Sequence, residues 1–200
     1  MEHRHSSVAA LEAIARNTLR AFDEKLLSGP PCAMPIEKLA EHLWLCIEYQ
    51  CIRKNGLILG EMVYEETLVP VYFRDIKAYT LIEVSAKTII LDESLLRGKT
   101  DGRLRFTLAH EIAHWLLHRE LYAGTGQAAA FGNPKKSSEE NPAVERQANQ
   151  LATLLLMPKA QVKKAFYTTR NIADPAGTLA ALFEVSKQAM GIFLRDHSLT

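Results

Sequence analysis

The chain has 200 residues, 24 Lys and Arg against 23 Asp and Glu, a formal net charge of +1 and 48% hydrophobic residues. That mixture excludes a largely disordered chain and suits one folded unit with a real core. The balanced charge gives no overall field toward nucleic acid or an anionic membrane, and no apolar run approaches the roughly eighteen residues that span a bilayer.

The N-terminal stretch lacks a continuous apolar segment followed by a small-residue cleavage site, so no secretory signal is expected. Cys32, Cys46 and Cys51 all lie in the first third of the chain. An odd, sparse count is no disulfide framework and fits a reduced cytoplasm. None forms a CxxC pair, and they read as small apolar fillers.

Residues 8–27 place Val8, Leu11, Ala15, Leu19, Phe22 and Leu26 at steps of three and four, the pattern of an amphipathic helix. Ser28-Gly29-Pro30-Pro31 ends it. Pro35 opens a second helix with Ile36, Leu39, Ala40 and Leu43 on one face. Five short segments follow, at 45–52, 57–64, 68–73, 80–84 and 88–91, rich in Val, Ile, Leu, Tyr and Thr. They predict strands of a small, mostly antiparallel sheet, with Asn55-Gly56 as one turn. Helical patterning returns over about 102–119. It resumes near Asn141-Pro142 and runs to Met157, where Pro158 stops it, with shorter helices at about 159–168, 176–184 and 186–196. Between the two main helices, residues 121–142 are rich in Gly, Ser, Pro and Lys. A loop of that length is expected to be mobile and near the site.

The chemistry concentrates in RFTLAHEIAHWLLH, Arg105 to His118. His110 and His114 are the histidines of an HExxH pattern. Residues four apart on a helix differ by about 40° and rise about 6 Å, so both imidazoles can converge on one tetrahedral metal. Glu111 lies about 60° around the helix from His114, close enough to act on water held at such an ion. Zinc would bring that water's pKa to about 7, leaving the carboxylate to take its proton. His118, about 12 Å along the helix from His110, is too far to be a third ligand and is expected to orient the site from behind or cap the helix end. The longer metzincin spacing is absent.

The third ligand is expected from the next helix. Asn141 can cap it, Pro142 suits its first turn, and Glu145 follows. Ala148, Asn149 and Ala152 share the face of Glu145, small and polar within a leucine-rich helix, which allows close approach. Two imidazoles and one carboxylate leave a fourth position for water. Asn149 is a further candidate behind the ligands.

The segment from Arg105 to His118, followed by ERQANQLATLLLMP from Glu145 to Pro158, resembles the ImmA/IrrE family of metallopeptidases, as do the Thr88–Asp92 strand and the Gly60 region. The likeness covers about 34–195. It implies that His110, His114 and Glu145 bind Zn2+, that Glu111 is the general base, and that the protein is cytoplasmic. It also implies a protein substrate, a helix-turn-helix repressor of the Xre type. The first 30 residues are too short for the DNA-binding domain that some members carry there.

Near the C-terminus, Ser186 caps the second of two short helices that resemble a helix-turn-helix. With Lys187, Gln188 and Arg195 as its polar reach, a hairpin packed on the catalytic core is favoured over DNA contact. The expected architecture is α+β: a small mixed or antiparallel sheet with helices around it. Residues 1–30 form an N-terminal helix, 31–158 a zinc-peptidase-like catalytic domain, and 159–200 a helical segment packed on it. A substrate would lie extended along an edge strand. His118, Tyr122, Tyr167 and His197 are candidates to stabilise the oxyanion. The rival functions are a non-cleaving regulator that binds DNA or a repressor, and a scaffold whose zinc is structural.

Overall fold

The computed structural model describes residues 7–97, 102–122 and 142–199. The Gly- and Lys-rich stretch expected to be a mobile loop near the site lies, over 123–141, outside the described residues, as does the expected cap Asn141. Helix α1 (Val8–Asp23) starts where the Ser7 hydroxyl accepts from the Ala10 N–H, and it buries Leu11, Ala15 and Leu19. The stretch read as one helix breaks at Glu24, because the Asp23 carboxylate accepts from the Lys25 N–H and starts a new turn, α2 (Lys25–Ser28). Val8, in the first turn, is exposed. Helix α3 (Ile36–His42) follows Pro35.

The strands are β1 (Cys46–Gln50), β2 (Gly60–Val63), β3 (Thr67–Phe73), β4 (Ala78–Val84) and β5 (Thr88–Asp92). They form two sheets instead of one. A three-stranded sheet has the order β1-β5-β2, with β1 parallel to β5 and β2 antiparallel to it; β3 and β4 make a separate antiparallel hairpin. The chain leaves β1, makes β2 and the hairpin, and returns as β5 in the direction of β1, which makes that pairing parallel. Strand β5 is buried along its whole length because both faces of the sheet are covered. Ile89 and Leu91 join the main core under the helices, whereas Ile90 packs with Val63, Val69, Val71 and Val84 under the hairpin.

Helix α4 (Gly102–Tyr122) runs through the middle of the molecule, touching α3, β2, β5 and above all α5 (Pro142–Leu156). Leu108, Ala109, Ile112 and Ala113 of α4 and Ala148, Leu151, Ala152 and Leu155 of α5 are fully buried. The small residues let the two helices close on each other, as the sequence predicts. Helix α1 covers the other side of α5. Helices α6 (Lys159–Thr169), α7 (Pro175–Phe183) and α8 (Lys187–Asp196) complete the α+β fold. The α7–α8 turn is pressed on the start of α4. A Cβ on Gly102 would lie 3.3 Å from the Ser186 backbone nitrogen, and the buried Arg105 guanidinium pairs with Glu184 at 3.2 Å and donates to the Met34 carbonyl at 2.6 Å. Lys187 is ion-paired with Asp174 at 2.6 Å. Among the described residues, no helix is long and apolar enough to cross a membrane.

Candidate metal centre

Helix periodicity sets His110 and His114 one turn apart on the face of α4 that meets α5, and Glu145 enters from the first turn of α5. The three offer ligand atoms that all lie within 4.8 Å of one another. The two Nε2 atoms are 3.0 Å apart, and each is 3.4 Å from a different oxygen of Glu145. His114 is 9% exposed, while His110 and Glu145 are half-buried and open toward solvent.

The hydrogen bonds behind the rings fix their tautomers. Asn149 Oδ1 lies 3.1 Å from His110 Nδ1, so that nitrogen carries the proton and Nε2 presents a lone pair. Gln147 Oε1 lies 3.2 Å from His118 Nε2, which therefore donates; His118 Nδ1 then accepts from His114 Nδ1 at 3.2 Å. His114 Nε2 is left with its lone pair as well. Two lone pairs and a carboxylate aimed at one point repel each other unless a cation sits among them, and this donor set fits a metal ion. Burial alone would raise the Glu145 carboxyl, but hydrogen bonds that His110 and His114 donate once their Nε2 atoms are protonated outweigh it and hold it down at about 2. Burial drives His118 down to about 4, so it stays neutral, as its place in the hydrogen-bond chain requires.

Glu111 sits beside this set, 6% exposed, on the seam between α4 and β2. Burial raises its carboxyl, His114 and His110 pull it back in part, and the Met62 backbone N–H donates to it. Gly60, two residues earlier on β2, leaves it room: a Cβ there would lie 2.7 Å from Glu111 Oε1 and 2.7 Å from Thr107 Cγ2. A largely apolar groove of about 920 Å³ begins one turn before His110, at Phe106, Thr107 and Leu59, and runs between Met157 and the α7–α8 turn.

The structure thus brings His110, Glu111, His114 and Glu145 together, with His118 and Asn149 against the imidazoles. Of the oxyanion candidates, His118 has both ring nitrogens engaged. Tyr122 stacks on Tyr64. Tyr167 packs against Phe166 and under Arg170, and His197 against Phe193 at the end of α8. Sequence reasoning missed Gln147, whose spacing of two from both Glu145 and Asn149 shows no helical face in common, and Tyr64, which reads as an ordinary residue at a strand end.

An HExxH helix and a neighbouring glutamate bring a His-His-Glu set to one point, beside the buried Glu111 carboxyl, an arrangement that suits a metallopeptidase. The family model described as the IrrE N-terminal-like domain, Peptidase_M78, matches residues 69–195, and the chain belongs to that family. A metallopeptidase-type function and a protein substrate go with it. No curated protein matches the chain.

Proposed function

We propose that the protein is a zinc-dependent endopeptidase of the cytoplasm, with Zn2+ held by His110, His114 and Glu145, that cleaves a helix-turn-helix repressor. The observation that carries the reading is the convergence of two imidazole lone pairs and one carboxylate on a point beside the buried Glu111 carboxyl. Two nitrogens and one oxygen are a donor set suited to zinc. Zinc held there supplies a Lewis acid that polarises a peptide carbonyl and acidifies water.

The chain's own groups do the rest. Glu111, anchored by the Met62 N–H, takes the proton of the attacking water and passes it to the amine nitrogen as the C–N bond breaks. Its raised carboxyl is well matched to giving the proton back. Strand β2 pairs with β5 on one side, and its other edge, next to Glu111, holds the substrate extended by main-chain hydrogen bonds. The choice of repressor as substrate is supported by the resemblance to the ImmA/IrrE family.

The test is incubation of the zinc-loaded protein with the repressor-type product of a neighbouring reading frame, alongside Glu111→Gln. Cleavage by the wild type, a loss of at least about a thousandfold in the variant and equal metal content in both are expected. Wild-type rates from Glu111→Gln would remove Glu111 from its role. A repressor left intact by the wild type but bound by it would favour the non-cleaving regulator.

A further inference from the structure

We infer that Tyr64 is a catalytic residue, its hydroxyl donating a hydrogen bond to the carbonyl oxygen of the scissile peptide. The inference rests on the peptidase reading above and adds to it a group that the HExxH pattern does not contain. When water attacks, a new C–O bond forms and the π pair of the carbonyl moves onto its oxygen. Glu111 holds the water's proton until the C–N bond breaks and the amine leaves with it. Negative charge therefore grows on the carbonyl oxygen, and a preset donor on that oxygen lowers the barrier.

Strand alternation selects the residue. Gly60, Met62 and Tyr64 fall on the same side of the chain, and the first two are already located: the Gly60 Cα faces the Glu111 carboxyl, and the Met62 N–H donates to it. Tyr64 comes next along the same seam. Its ring stacks on Trp115, the neighbour of His114, at 6.2 Å between centroids, and on Tyr122 at 5.0 Å. Only 9% of the residue is exposed. A ring fixed by two aromatic partners holds its hydroxyl with little freedom left to lose, which is what a preset donor needs.

The electrostatics of the phenol accords with this place on the seam. Burial raises the phenol pKa far above the ordinary value, and the charges of Glu111, Tyr122 and Glu145 raise it further. Both carboxylates are thus close enough to act on the hydroxyl. One belongs to the proposed base and the other to the proposed ligand set, and the scissile carbonyl has to lie between them. The phenol stays protonated at any working pH, so it is always a donor. Among the earlier candidates, His118 has no ring nitrogen to spare, and Tyr167 and His197 pack against other helices.

The experiment compares wild type, Tyr64→Phe and Tyr122→Phe, all zinc-loaded, on a pool of quenched fluorescent peptides of randomised sequence. The phenylalanine at 64 keeps the stack and removes one oxygen. A kcat lower by about a hundredfold or more, a KM within about twofold and unchanged zinc affinity in a chelator competition are expected for Tyr64→Phe. Tyr122→Phe tests the other phenol of the stack: a smaller loss there than in Tyr64→Phe is expected, and a loss as large or larger would place the donor at residue 122 and overturn the role of Tyr64. A peptidyl phosphinate, which mimics the tetrahedral anion, should bind Tyr64→Phe about a hundredfold more weakly than wild type. A wild-type kcat and wild-type phosphinate affinity in Tyr64→Phe would overturn the role of Tyr64 and leave the peptidase reading standing. A wild type that cuts none of the peptides and does not bind the phosphinate would overturn both.

Discussion

At Gly60 the presence or absence of one carbon decides where the proposed base can sit. The backbone of β2 passes so close to α4 that a methyl group would fall 2.7 Å from Glu111 Oε1. Glu111 is buried and tied to the Met62 N–H, so it has little room to yield. Gly60→Ala should therefore displace the carboxyl by a few tenths of an ångström or more and lower kcat by about ten- to a hundredfold. Metal content and fold should be unchanged by metal analysis and circular dichroism. The neighbouring Glu61 points the other way, under the β3–β4 hairpin. It is 5% exposed, and neither oxygen has a hydrogen-bond partner. Burial first, and then the charge of Glu111, raise its carboxyl well above the ordinary range, with Arg53 pulling in the opposite direction. A raised carboxyl costs nothing where both folded and unfolded chains are protonated. As pH rises past the ordinary value near 4.5, the unfolded chain releases its proton first and stability falls, until the folded carboxyl also ionises. Glu61→Gln should thus melt at a higher temperature than wild type at pH 8, with the difference shrinking toward pH 4. A difference independent of pH would mean that Glu61 does not titrate in this way.

The elements differ in how openly the sequence displays them. Helices α4 and α5 show plainly, because periodicity, the HExxH spacing and the alanine-rich face of α5 all agree. The separation of the strands into a mixed sheet and a separate hairpin does not show: β1 and β5 pair in parallel across three intervening strands, and nothing local to Cys46–Gln50 encodes a partner at Thr88–Asp92. Glu61 misleads for the same reason. Nothing local to a charged residue in a short strand signals burial, and only the long-range packing of the sheet buries it. Tyr64 was silent because its neighbours, Trp115 and Tyr122, lie more than fifty residues away in sequence. The α7–α8 hairpin shows as a pair of helices, but what its turn touches is a tertiary fact. Arg105 is the clasp, bonded to the Met34 carbonyl and paired with Glu184, with the guanidinium 6% exposed and Glu184 largely solvated. Arg105→Met should destabilise the protein by about 2 kcal/mol, mostly through the buried carbonyl left without its donor. The solvated pair with Glu184 adds little. Urea denaturation measures this, and Glu184→Gln should then cost far less than Arg105→Met.

For the molecule as a whole, the proposed metal centre is a cross-link between α4 and α5. Two of the proposed ligands come from α4 and the third from α5, which also packs against α1. Without a cation, the positive charges that meet Glu145 among the described residues are those of the protonated His110 and His114 imidazoles. Burial would lower His110, but its hydrogen bond to Glu145 and the charges of Glu111 and Glu145 raise it instead, so protons and metal compete for the same lone pairs. A ligand that binds the folded chain and not the unfolded one stabilises by mass action, about 2.7 kcal/mol at a hundredfold excess over its Kd. Zinc titrated into the chelated protein at pH 7.5 should therefore raise the melting temperature by several degrees. The increase should be smaller at pH 5.5, where protons occupy the imidazoles. Glu145→Gln removes the carboxylate from the cross-link and should abolish most of the zinc-dependent rise while leaving the melt of the chelated protein close to wild type. Asn149→Ala, which frees the His110 ring but leaves all three donors in place, should lose about ten- to a hundredfold in zinc affinity. Equal zinc-dependent shifts in wild type and Glu145→Gln would show that α5 takes no part in holding the ion, and the proposed centre would have to be built from α4 alone.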